Sequence, residues 1–178
     1  MPRSREHCSS RRVRKLNNEH FIICFDMDTT GFSQVGRYGT ISLLKRNEEH
    51  TVVTSFGIDA EELTFGRETT CGVRLYYPDV ALLHCKVVFE ERKVNIVLLF
   101  LLFMIINNTI NYTQAFLVVL GESGVLVDGC KVFPRTSNNL STIIPLANNS
   151  EFEIHSKRFR FSYPPKEIRA TLFATPAR

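Results

Sequence analysis

From Tyr38 onward the chain is built of short β-prone runs separated by turn residues, and no stretch has the spacing of an amphipathic helix. The runs are Tyr38–Lys45, Thr51–Phe56, Glu62–Phe65, Val73–Tyr76 and His84–Glu90, then Phe116–Leu120, Gly124–Val127, Cys130–Phe133, Glu151–Ile154 and Lys157–Tyr163. Asn47, Gly57-Ile58-Asp59, Pro78-Asp79, Gly121 and Asn148-Asn149 punctuate them. In Glu151-Phe152-Glu153-Ile154 and Arg158-Phe159-Arg160-Phe161 apolar and polar residues alternate, so each strand has one wet and one dry face. Gly124-Val125-Leu126-Val127, Asp128-Gly129, Cys130-Lys131-Val132-Phe133 reads as a hairpin, because Asp-Gly favours the positive φ angles of a type I′ turn. Many short strands and no helix to cover a sheet leave an all-β sandwich or barrel. The 14 Phe and absence of Trp suit the inner faces of stacked sheets.

A chain of 178 residues, 44% hydrophobic and 22% charged, has room for one ordinary domain and some tail. The net charge of +4 is concentrated at the start. Arg3, Arg5, Arg11, Arg12, Arg14 and Lys15 against Glu6 give residues 1–15 a charge of +5, which leaves the remainder at −1. A near-neutral domain with a basic tail is not expected to bind nucleic acid directly. Arg11-Arg12-Val13-Arg14-Lys15 is compatible with a nuclear address, a loose polyanion contact or a solvated tail. The expected organisation is a largely irregular tail over 1–36, a domain over 37–166 and a second tail over 167–178. Within the first tail, Phe21 to Phe25 is a candidate extra strand.

Five scattered cysteines (Cys8, Cys24, Cys71, Cys85 and Cys130) form no CxxC pair, so neither a metal site nor a disulfide framework is expected. The charged N-terminus has no adjoining apolar run. A reducing compartment, nucleus or alternatively cytoplasm, is the expectation.

Residues 94–114 break the rhythm. They carry no charge, and Ile96 to Ile106 is continuously apolar. Eleven such residues fall short of the ~20 a membrane-spanning helix needs, so no membrane is expected. Joining Lys93 to Ala115 would give a plain strand–turn–strand. The hypothesis is a translated, unspliced intron: Val codons begin with GT, a Gln codon can end in AG, and 21 codons keep the frame. Spliced transcripts that all retain these codons would refute it.

Three short motifs carry the candidate chemistry. Gly66-Arg67 follows an apolar run and opens the polar loop Glu68-Thr69-Thr70, where a guanidinium can fork onto an anion. Pro78-Asp79-Val80-Ala81-Leu82-Leu83-His84 joins two strands. Gly121-Glu122-Ser123-Gly124 has the outline of a serine-protease GxSG, but the chain is too short and lacks the accompanying His and Asp, so a tight turn is expected. No paired carboxylates, phosphate loop or nucleophile with a base appears, and no enzyme, catalytic residue or cofactor is expected.

In this order the motifs resemble the forkhead-associated (FHA) domain, whose pattern is Gly-Arg, then Ser-x-x-His, then Asn-Gly-Thr-x-Val-Asn-Gly. Gly66-Arg67 matches the first element, and Ala81-Leu82-Leu83-His84 the second with Ala for Ser. Ser123-Gly124-Val125-Leu126-Val127-Asp128-Gly129 matches the third, Ser and Asp replacing the two Asn; the spacing is right once 94–114 is removed. Residues 145–150 and 159–164 look like the forkhead-linked branch.

The resemblance implies an antiparallel sandwich of about ten to eleven strands that binds a phosphothreonine-containing protein through loops at one end, with no small-molecule substrate. The residues it places against the phosphopeptide are Arg67, Thr69, Thr70, Ala81, Ser123 and Gly124; Gly66, His84, Asp128 and Gly129 would support the loops. Asp79 would favour a basic residue after the phosphosite. Ala81 is the main departure, since a methyl cannot donate where the family's Ser does. That loss is about 1.5–3 kcal/mol, roughly ten- to a hundredfold in affinity. The alternative is a degenerate domain that binds its partner without phosphate.

Overall fold

The alternating runs form strands, and their apolar faces meet between two sheets. The computed structural model describes residues 12–15, 21–25, 35–46, 48, 51–97, 107–135 and 141–174. In chain order the strands are β1 (Arg12–Lys15), β2 (Phe21–Phe25), β3 (Gly39–Leu44), β4 (Val52–Ile58), β5 (Glu62–Gly66), β6 (Val73–Leu75) and β7 (Cys85–Val97). They continue as β8 (Asn107–Val119), β9 (Val125–Val127), β10 (Cys130–Val132), β11 (Thr142–Leu146), β12 (Glu151–Ile154) and β13 (Lys157–Ser162), and helix α1 (Lys166–Ala174) follows. One sheet has the order β1-β2-β6-β5-β7-β8-β11, and the other β10-β9-β12-β13-β3-β4. Among the described strands only β5 and β6 pair in parallel. The molecule is an all-β sandwich, with eleven strands among the described residues between Gly39 and Ser162.

Phenylalanine fills the space between the sheets. Phe65 on β5 meets Phe152 and Phe159 of the opposite sheet edge-on, at centroid distances of 5.3 and 5.2 Å. Phe152 and Phe159 are themselves cross-strand partners on β12 and β13. Each ring is essentially sealed from solvent, and burying such a side chain stabilises the fold by about 1.5–3 kcal/mol. The Asp128-Gly129 turn has φ of 45° and 83°, and Cys130 pairs with Val127 across it, so the expected two-residue hairpin is present.

Four local features add to or correct the sequence reading. The segment before residue 37, read as largely irregular apart from the candidate strand Phe21–Phe25, contributes β1 as well as that strand, β2, which pairs with β6 over Phe21↔Leu75 to Ile23↔Val73. Residues 166–174, read mostly as a tail, are helical: Pro164-Pro165 sets the helix entry, and Ile168 N–H donates to the Pro165 carbonyl. Strand β11 escaped notice because Pro145 interrupts it. It lies at a sheet edge, where a residue without an N–H is tolerated. Finally, the turn expected after Lys93 was for a chain without 94–114; with that segment present the chain runs on. Strands β7 and β8 continue as a hairpin in register from Phe89↔Ala115 through Val94↔Ile110 to Val97↔Asn107. The middle of the apolar run, 98–106, lies outside the described residues. Among the described residues no helix is long and apolar enough to cross a membrane.

Candidate functional site

Strand register brings the three motifs to one end of the sandwich. Phe65 pairs with Cys85, and Cys85 with Val119, so Gly66, His84 and Leu120 lie side by side where β5 ends, β7 begins and β8 ends. The loops 67–72, 76–84 and 120–124 therefore meet there.

His84 ties them together. Its N–H donates to Phe65 O (2.8 Å), and its carbonyl accepts from Leu120 N (3.0 Å) and Gly121 N (2.7 Å). Ala81 N–H donates to Nδ1 at 3.1 Å, and Nε2 lies 3.2 Å from Gly124 O. A nitrogen that accepts an amide proton carries none, so the ring is neutral and Nε2–H donates to Gly124 O. The side chain is fully buried, and burial holds its pKa below the ordinary 6.5. His84 thus links the three loops through its backbone and its ring. Gly66 and Gly121 permit the close approach: a Cβ on Gly66 would lie 2.0 Å from Leu82 O, and one on Gly121 2.2 Å from His84 Nδ1.

Arg67 is exposed and oriented by the neighbouring loop. Its Nε donates to Val80 O and its backbone N–H to Ala81 O (3.0 Å), while Glu68 N–H donates to Leu82 O (3.1 Å). Among the described residues the two outer guanidinium nitrogens have no protein partner. The same holds for the hydroxyls and N–H groups of exposed Thr69 and Thr70. The exposed loop that begins at Arg67 thus offers one fixed cation and several uncommitted hydrogen-bond donors, a composition that suits an anion with several oxygens.

Ala81 is half-buried, with its N–H committed to His84. Ser123 Oγ donates to Asp79 O at 3.0 Å, so its proton braces the 76–84 loop and only its lone pairs face outward. Gly124 joins the cluster through its carbonyl. Asp128 and Gly129 lie at the other end of β9. There Asp128 N–H donates to Glu151 O (2.8 Å) and Glu151 N–H to Asp128 Oδ1 (2.7 Å), so they hold the β9–β10 turn against β12 rather than the loop cluster.

Four further side chains, Arg74, Tyr76, Tyr77 and His155, join the loop end. Arg74 on β6 donates through Nε to Arg67 O (2.9 Å), and its guanidinium lies 4.2 Å from the Tyr76 ring centroid. The alternation Val73-Arg74-Leu75 signals that Arg74 faces away from the core, but not that it adjoins Arg67. His155, in the β12–β13 turn, stacks on Tyr77 (4.1 Å) and pairs through Nδ1 with Asp79 Oδ2 (2.7 Å). That contact holds the Asp79 carboxyl below its ordinary pKa. Asp79 and His155 are 76 residues apart, and nothing local announces the pair. Among the described residues no group of His, Cys, Asp and Glu could hold a metal ion.

No family model matches the chain, and no curated protein matches it. Solved structures do. The crystal structure of the MEK1 FHA domain is 12% identical over 72% of this chain and 91% of that one, with a TM-score of 0.49. The yeast Dun1 FHA domain, solved with a doubly phosphorylated (pT) peptide, is 17% identical over 77% and 82%, at 0.45. The FHA domain of CT664 from Chlamydia trachomatis is 14% identical over 72% and 99%, also at 0.45. The likeness is one of fold alone: in architecture this chain resembles FHA domains.

Proposed function

We propose that the loop end of this sandwich binds a phosphothreonine-containing segment of another protein, without catalysis. The observation that carries the reading is Arg67. Its Nε is anchored on Val80 O, which leaves the outer nitrogens preorganised toward solvent beside the free donors of Thr69 and Thr70. A phosphate of about −1.5 to −2 charge needs a fixed cation with several donors. Such pre-ordering avoids part of the entropy lost on binding. The exposed Glu68 carboxylate next in sequence opposes an anion and limits affinity. The basic cluster Arg11–Lys15 favours a nuclear location, with the cytoplasm as the alternative, and a role in signalling or transcription.

A second reading rests on Ala81 and Ser123: one position lacks a hydroxyl, and the other has its proton committed. Both weaken a phosphate site and favour a phosphate-independent interaction platform. Titrating a degenerate phosphothreonine peptide library and its unphosphorylated twin against the wild type and Arg67→Ala separates the two. Phosphate-dependent binding that vanishes in the variant supports the first reading. Binding of both libraries alike, unchanged by the variant, supports the second.

A further inference from the structure

The loop that orients Arg67 also holds two leucines in solvent. Leu82 is 61% exposed and Leu83 38%. A lone exposed leucine is ordinary, but this pair sits on a backbone with no freedom to fold it away. Three successive carbonyls, Val80, Ala81 and Leu82, accept from Arg67 Nε, Arg67 N and Glu68 N, and Cys71 Sγ also approaches Leu82 O at 3.4 Å. The loop's other end is pinned by Ala81 N–H on His84 Nδ1 and by His84 N–H on Phe65 O. Gly66 packs so tightly beneath Leu82 that even a methyl would collide with its carbonyl. The polar side of the loop is thus consumed by the neighbouring loop, and its apolar side faces outward. Rigidly displayed apolar side chains on a loop mark a contact surface.

We infer that Leu82 and Leu83 form an apolar shelf beside Arg67, and that the ligand is a phosphothreonine segment with a bulky aliphatic or aromatic residue close to the phosphosite. This rests on the phosphothreonine reading of the same site. The occupant follows from what adjoins the shelf. The guanidinium is anchored on Val80, two residues before Leu82, so the backbone span from that anchor to the near edge of the shelf is at most roughly 7 Å, about two residues of an extended peptide. A ligand that engages both carries an anion and an apolar side chain within about two positions of each other. The shelf also accounts for tolerance of Ala81, since apolar burial offsets a missing hydroxyl donor.

The test uses the full chain and phosphothreonine peptides in which each of the two positions on either side carries Leu, Phe, Ser or Glu, with unphosphorylated counterparts. The expected result is about a tenfold preference for Leu or Phe over Ser at one position. That preference should disappear in the Leu82→Ser/Leu83→Ser double variant while phosphate dependence persists. Equal binding of all side chains by the wild type, or a preference that survives in the variant, overturns the inference. If the preference vanishes in the variant but phosphorylation never mattered, the shelf stands and the phosphothreonine reading fails. A folded sample that binds no peptide removes both.

Discussion

His84 Nδ1 lies where a Cβ on Gly121 would sit only 2.2 Å from it. The ring and the bare backbone are therefore a matched pair, because His84 reaches Gly124 O only across a residue with no side chain. Gly121→Ala must push the ring or the 120–124 turn aside. We expect a loss of about 1–3 kcal/mol from overpacking in a sealed site. Urea denaturation measures it, and a midpoint within error of the wild type would mean that the turn yields freely.

The neutral, buried state of His84 makes stability depend on pH. Its folded pKa is lowered from 6.5, chiefly by burial, so below that pH the unfolded chain binds the proton more readily. The contribution is fully present above about pH 6.5 and is lost as the pH falls below it. The Asp79 carboxylate, lowered by its hydrogen bond to His155, acts in the same direction at more acidic pH. Denaturation midpoints should decline between about pH 7 and pH 5, and His84→Asn should flatten that decline. An equal slope in the variant would assign the effect to other groups.

Ala81 is the position at which one oxygen should change affinity most. Its backbone is held by His84 and Arg67 through Ala81 N and Ala81 O, so Ala81→Ser places a hydroxyl without moving the loop. Phosphothreonine peptides should bind this variant roughly ten- to a hundredfold more tightly. Calorimetric titration reads the change directly. Unaltered affinity would place the phosphate away from this loop.

The long hairpin is separable from the sandwich. Strand β5 pairs with β7 only as far as Val88, and β11 with β8 only to Ala115. Beyond Phe89↔Ala115, β7 and β8 pair as strands only with each other among the described residues, and a two-stranded ribbon by itself is marginal in water. Deleting 94–114 leaves Glu90-Glu91-Arg92-Lys93 as a four-residue loop between Phe89 and Ala115. Of the described side chains that the deletion removes, Thr113 and Gln114, it is Gln114 that bonds to the sandwich: its Nε2 donates to Leu146 O and Tyr163 OH, both at 3.2 Å. The shortened chain should unfold cooperatively, with stability lowered by about 1 kcal/mol and less aggregation. Failure to fold would tie the ribbon to the core. Spliced transcripts with 94–114 missing would identify the segment as a retained intron.

The strands, the Asp128-Gly129 hairpin and the Gly66-Arg67 junction could be read from the residues because their causes are local: alternation along a strand, positive φ at a turn, an arginine after an apolar run. Strand β11 was hidden by Pro145, since whether a proline interrupts a strand or sits on an edge depends on the neighbouring strand. The pairing of β2 with β6 and the continuation of β7 and β8 past Lys93 are likewise choices between partners distant in the chain. Within the site, the residue types of Arg67 and His84 were legible. The tautomer of His84, the commitment of the Ser123 proton to Asp79, the approach of Arg74 and the Asp79–His155 pair were not. Each rests on hydrogen bonds at the loop end, whose geometry is set by the register of the strands beneath it, and strand periodicity holds no record of that register.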